Sequence, residues 1–219
     1  MYELIKQLVK QENDTFFNNH KKFIETAEDD RLKSYSTPTR WTQYMDGKIT
    51  RDELIGYAIK RQVRKYEKRA KEDCAKLERF ENLDEKIISI QIHVEWRYST
   101  VWGLNPTAYA VVKTNKHVFT GTGKASGCGY DKESAAIASA LNDIDVIGKM
   151  LCDYKQRCLE TGAELEYGCG GTYSAMPFFE GGVGVSCFIR TLKECELDLI
   201  SYYNTTIKHA HYTFFAKGE

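Results

Sequence analysis

Proline is scarce in this chain: three occur in 219 residues, Pro38, Pro106 and Pro177. Each lies in a stretch that neighbouring residues already mark as a break, "SYSTPTRW", "WGLNPTAY" and "YSAMPFFEGG", so long unbroken elements are expected between them. Net charge is absent as well, since Lys plus Arg and Asp plus Glu both number 31. No global field then draws the protein to nucleic acid or membrane, and electrostatic steering has to be local. No window approaches the roughly 18 apolar residues of a membrane span, and "MYELIKQLVKQENDTFF" carries charges where a secretion signal has an apolar centre. Both features predict a cytoplasmic protein without membrane association. The seven cysteines form no C-x-x-C pair, which argues against a disulfide framework or a zinc ribbon and predicts buried thiols.

Catalytic signatures are missing too. There is no Gly-x-Ser-x-Gly elbow, no His-Glu-x-x-His, no Walker motif and no dinucleotide fingerprint. Cys128, between Gly127 and Gly129 ahead of a helix start, is the one arrangement resembling an activated nucleophile. His93, His117, His209 and His211 lack local ligand spacing, so packing and hydrogen bonding are expected of them rather than a metal. The expectation is a binding protein, not an enzyme, with no catalytic residue, metal or cofactor.

What is present divides in two. Hydrophobic residues make up 42% of the chain, enough for a core. Residues 1–85 are rich in Lys, Glu, Leu and Ala and predict helices; residues 86–219 switch to strands and glycine-rich turns. The expected class is α+β, an N-terminal helical region followed by an antiparallel sheet packed with helices.

The clearest helix is predicted over 50–79. Thr50-Arg-Asp-Glu53 has the form of a capping box, and Ile55, Ile59, Val63, Tyr66, Ala70, Cys74 and Leu77 recur at steps of three and four as one apolar stripe. A partner for that stripe is required: a helix within residues 1–28, a second copy of the chain, or a foreign protein. The other faces carry Lys60, Arg61, Arg64, Lys65, Lys68, Arg69 and Lys71, with Glu67 the one acid between residues 57 and 71. Such a patch suits phosphates or an acidic protein surface, or is a solvated helix face balanced by Glu72, Asp73 and Glu78.

From Ile87 the period becomes two. "IISIQIHVEWRYS" sets Ile88, Ile90, Ile92 and Val94 against Ser89, Gln91, His93 and Glu95, a half-buried strand. After a Gly-Leu-Asn-Pro turn, "TAYAVVKT" and "HVFTGTG" predict two more strands joined tightly at "NK". Helices are predicted over 131–141 and 146–159, then a helix from about Ser186 and a closing hairpin of "DLISYYNT" and "HAHYTFFAKG". Trp96, Tyr98, Trp102 and Tyr109 are candidate aromatic anchors for a partner.

Two glycine loops precede helices, whose N-termini attract anions. At "GKASGCGYDKES" the acids Asp131 and Glu133 cap the helix themselves, and its alanines predict close packing on a sheet. The loop Gly181-Gly182-Val183-Gly184 has freer amides, so Gly182, Gly184, Ser186 and Arg190 form the better candidate anion site.

Three strands followed by "SGCGYDKESAAIASAL" resemble, over roughly residues 87–142, the double-stranded-RNA-binding domain, where lysines on the first turn of the last helix grip phosphates. Here Lys132 stands for them, between Asp131 and Glu133. More broadly, "VEWRYSTVWGLNP", "ASGCGYDKESAA" and "FFEGGVGVSCF" resemble small accessory proteins of phages and prophages of Gram-positive bacteria. That resemblance implies a phage-encoded, non-enzymatic inhibitor of a host defence component such as a CRISPR nuclease, acting in the host cytoplasm on a protein or ribonucleoprotein. Nucleic-acid or nucleotide binding is the alternative, and a homo-oligomer through helix 50–79 is a further expectation.

Overall fold

The structure, a computed structural model, describes residues 1–100, 103–125, 132–163, 185–206 and 208–218. The described residues form α1 (Glu3–Glu25), α2 (Asp29–Tyr35), α3 (Pro38–Met45), α4 (Arg51–Glu81), β1 (Ile87–Ser99), β2 (Gly103–Thr114) and β3 (Val118–Lys124). They continue with α5 (Lys132–Leu141), α6 (Asp145–Thr161), α7 (Val185–Glu194), β4 (Leu197–Thr206) and β5 (His209–Ala216). The class is α+β, with a helical N-terminal region and an antiparallel sheet. The chain divides into two compact units, Lys6–Leu77 and Met1–Ile5 with Glu78–Glu219. Among the described residues no helix is long and apolar enough to cross a membrane.

Within Lys6–Leu77, α4 starts at the expected capping box. The Thr50 amide donates to Glu53 Oε2 at 2.7 Å, and the Glu53 amide donates to Thr50 Oγ1 at 3.2 Å. The Thr50 amide, together with the Thr50 hydroxyl donating to the same oxygen at 3.0 Å, holds the Glu53 carboxyl below the usual carboxylate range. The turn between α2 and α3 is set by Thr37, whose hydroxyl accepts from the Arg40 amide, and by Pro38 in the first turn of α3, where a missing N–H costs nothing.

The stripe on α4 is broader than predicted. Leu54, Ala58, Gln62 and Leu77 are its buried members, while Ile55, Ile59, Val63, Tyr66 and Ala70 are half-buried and Cys74 is exposed. Two neighbours cause the widening. Leu54 and Ala58 join Ile24 and Leu32 in one apolar cluster with Trp41 and Tyr44 against it. Farther along, Tyr66 meets Phe17 and His20 of α1 at 6.1 and 5.6 Å between ring centroids. Residues between Phe17 and Tyr44 of the same chain therefore cover this stripe from Leu54 to Tyr66.

In the other unit the sheet runs β3-β2-β1-β5-β4, every neighbouring pair antiparallel. The predicted meander and closing hairpin are both there, and β5 lies along the free edge of β1, which makes β1 central. Ile90, Ile92, Val94, Ala108, Ala110, Val112, Ala210 and Phe214 point to one face, into a core shared with Ala136, Ile137, Leu141, Leu151 and Leu192 from α5, α6 and α7.

The expected turn at Gly-Leu-Asn-Pro is instead strand: Gly103, Leu104, Asn105 and Pro106 pair with Ser99, Tyr98, Arg97 and Trp96. Pro106 is tolerated because Trp96 donates away from it, to the Lys208 carbonyl, while the Pro106 carbonyl accepts from Ala125. The missing proline donor thus faces β3 just past that ladder's last pair, Thr107 with Lys124. The alanine-rich α5 packs as closely as predicted. A Cβ at Gly121 or Gly123 of β3 would collide with the backbone carbonyls of Ala140 and Ala136, so these two positions need glycine for closeness.

Candidate functional site

At 100° per residue, Tyr57, Lys60, Arg61, Arg64, Lys65, Lys68 and Lys71 fall within an arc of about 140° on α4 that borders its covered stripe at Ala58. Tertiary structure turns this arc into a cleft of about 620 Å³, walled on the far side by Tyr35, Ser36, Thr37 and Arg40 from the α2–α3 turn. Six cations line it, Arg40, Lys60, Arg61, Arg64, Lys65 and Lys68, and no acid does. Of the seven cations singled out on this helix, five meet here, and Lys71 and Arg69 do not line the cleft. Arg69 turns away: it approaches Asp73 at 3.7 Å and lies over the Phe16 ring at 5.5 Å.

The cleft cations differ in freedom. Arg61 donates to the Tyr35 and Ser36 carbonyls at 3.2 and 3.1 Å, which satisfies the C-terminal end of α2. Arg40 lies over the Tyr57 ring at 3.9 Å, a cation–π contact that holds its guanidinium at the rim. Lys68 approaches Glu72 at 3.6 Å, an exposed pair of the kind worth about 0–1 kcal/mol. Lys60, Arg64 and Lys65 are exposed and enter no ion pair among the described residues. Lys60, Arg64 and Lys68 succeed one another by one helical turn, a rise of about 6 Å per step, so the cleft presents its charge as a row. Arg40 and Tyr57 were missed by sequence reading; Thr37-Pro38, an N-cap followed by a helix-starting proline, was the signal that placed a turn and its first helical residues there.

The glycine-loop candidates fare differently. Gly182 and Gly184 lie outside the described residues, as do Cys128, Asp131 and Trp102, and nothing is described of the Ser186 side chain. Arg190 is exposed on α7. On α5, Lys132 donates to the Leu104 carbonyl at 3.1 Å and Asn105 Oδ1 at 3.2 Å. Glu133, expected to cap helix amides, accepts a 2.7 Å bond from the Tyr212 hydroxyl, a phenol that burial and this carboxylate keep protonated. Both side chains thus pin α5 to the sheet.

Of the aromatic candidates, Trp96 packs against the core, whereas Tyr98 is 76% exposed and Tyr109 lies on the sheet face opposite the core. That face holds a feature no local motif announced. The register sets Tyr109 beside His93, His93 beside His211, and His211 beside Tyr203, so four rings cross β2, β1, β5 and β4 in one row. The His93–Tyr109 centroids are 6.1 Å apart, His93–His211 4.3 Å and Tyr203–His211 4.5 Å, with interplanar angles of 21°, 33° and 14°. His209 stacks on His93 from the next position at 5.5 Å. The alternation of His93 with its apolar neighbours was visible in sequence; the partner across each strand was not.

Burial holds His93 below the ordinary histidine range, and the neighbouring His211 and His209 add to that shift. Three of the four histidines considered for a metal thus meet, and His117 stands apart, 3.0 Å from Glu85 at the β2–β3 turn. Among the described residues no three His, Cys, Asp or Glu side chains are set to hold a metal ion. Cys152, Cys158 and Cys195 are buried and Cys74 is exposed; burial pushes the Cys152 and Cys195 thiols up to about 12, which keeps them inert near neutral pH.

Compared with known protein families, curated proteins and solved structures, the chain matches none.

Proposed function

We propose that this protein binds nucleic acid, gripping the phosphate backbone in the cationic cleft of α4. The carrying observation is the lining of that cleft, six cations and no acid, in a chain whose total charge is balanced. A balanced chain gains nothing from long-range attraction, so the gathered cations act locally, by displacing counterions condensed on a polyanion. The cleft presents its cations as a row spaced by helical turns, which supports contact with successive phosphates. Fluorescence anisotropy with a labelled oligonucleotide tests this across roughly 50 to 200 mM salt. Affinity should fall steeply over that range; binding that ignores salt, or no binding, overturns the reading.

A second reading keeps the protein a phage-encoded inhibitor of a host defence component such as a CRISPR nuclease. Its support is the cross-strand pair Tyr98 and Leu104, 76% and 38% exposed, apolar area of the kind protein interfaces bury. Here Tyr98→Ala should abolish inhibition of target cleavage while oligonucleotide binding stays intact; cleavage that proceeds unchanged with the unaltered protein present ends this reading.

A further inference from the structure

We propose that the ring row on the open sheet face, ending at Tyr203, is a stacking site for unpaired bases of single-stranded nucleic acid. This deepens the nucleic-acid reading, on which it rests, by naming the part of the ligand taken here, but it stands on different residues. Neighbouring strands lie about 4.8 Å apart, so rings at matched register positions meet: Tyr203 stacks on His211 at 4.5 Å, and His211 lies tilted against His93 at 4.3 Å with their ring nitrogens 3.1 Å apart. Such a column is complete on the inside and open at its end. Tyr203 has one ring face on His211, sits on the edge strand β4 and is 51% exposed. A planar base laid on its outer face continues the column with the geometry already present.

Three further observations favour a base over an apolar protein surface. His93 Nδ1 already meets a His211 ring nitrogen at 3.1 Å, but the row ends in the phenol hydroxyls of Tyr203 and Tyr109, polar groups that suit a base better than an apolar partner. Cations outnumber acids on this face: Lys113, Lys124 and Arg97 stand against Glu95, which Arg97 holds at 3.0 Å, and Asp198 at the far end. The core residues of α5, α6 and α7 pack on the other face, and on this one Tyr109 at the row's other end is 38% exposed.

The test is an NMR titration of the His93, His209 and His211 ring signals with adenosine 5′-monophosphate, with inorganic phosphate as control. The nucleotide should shift the His211 signals and phosphate should not; Tyr203→Ala should remove the shift and Tyr203→Phe should keep it. Equal shifts from phosphate, or none from the nucleotide at millimolar concentration, overturn the proposal whatever α4 does. In parallel, Tyr203→Ala should weaken binding of a single-stranded oligonucleotide by about five-fold or more and leave a duplex of the same length unaffected. Equal losses on both, or a dimer that Tyr203→Ala dissolves, also overturn it.

Discussion

The cleft on α4 and the ring row on the sheet hold their side chains by opposite means. Lys60, Arg64 and Lys65 project from one helix face and depend on nothing but the helix, so their geometry is loose and their attraction electrostatic. His93, His211 and Tyr203 come from three strands and stand where they do because Tyr203 stacks on His211 and His211 meets His93 through its ring nitrogens. The difference teaches that one unit offers concentrated charge in a broad cleft and the other a fixed arrangement of rings with little charge. Salt should therefore weaken the first, and loss of register should destroy the second.

The largest expected effect lies beneath the sheet. Gly123→Val drives a side chain into the backbone of α5, and the chain should lose about 3 kcal/mol or more of stability in urea unfolding. A variant as stable as the parent would show that α5 does not rest on β3 as described. Next comes charge reversal in the cleft. Lys60→Glu, Arg64→Glu and Lys65→Glu together should reduce oligonucleotide affinity by about one to two orders of magnitude, and the slope of log affinity against log salt should flatten by about 0.7 to 0.9 for each phosphate no longer neutralised. Stability should stay within about 0.5 kcal/mol, because these side chains are exposed; a large stability loss would mean the cations belong to the fold rather than to a ligand.

A smaller effect belongs to the start of α4. Thr50→Ala removes the hydroxyl that caps Glu53 and should cost about 1 kcal/mol in denaturant unfolding.

The smallest effect is acid sensitivity of the ring row. His93 titrates below the ordinary histidine range in the folded protein, so on acidification the unfolded chain takes this proton first. Its contribution is then fully present above the ordinary histidine range and is lost as pH falls through that range toward the folded value. The groups facing His93 are Tyr109 from β2, His209 and His211 from β5, and Glu95 from β1, where Arg97 holds it. Unfolding followed from about pH 7.5 to 5 should show the decline, and His93→Gln should flatten it. An unchanged slope in that variant would assign the acid sensitivity to other groups.

Much of the architecture was legible because it depends on local signals. Thr50 and Glu53 lie three residues apart and cap α4 by themselves, and the period-two alternation from Ile90 to Val94 needs no knowledge of neighbours; ahead of it the register shifts, so that Ile87 rather than Ile88 packs against the core and Ser89 is buried. The order of the sheet was not legible. Nothing near β5 says that it lies along β1, and Pro106 reads as a turn until the end of β3's ladder shows that its missing donor has no duty there. The width of the α4 stripe was hidden for the same reason: Ala58 and Gln62 are buried by segments distant in sequence, not by their own hydrophobicity. Five of the cleft's six cations could be named in advance, since helical spacing alone gathers them; Arg40 needed the α2–α3 turn.

By itself, then, the sequence determined the elements, their amphipathic faces and the concentration of positive charge on one helix, because propensity, capping and periodicity act over a few residues. Tertiary structure alone decided that α4's cations line a cleft and that His93, His211 and Tyr203 meet in one row. Both depend on which distant segments become neighbours, and burial of apolar surface drives that choice without direction or sequence separation of its own.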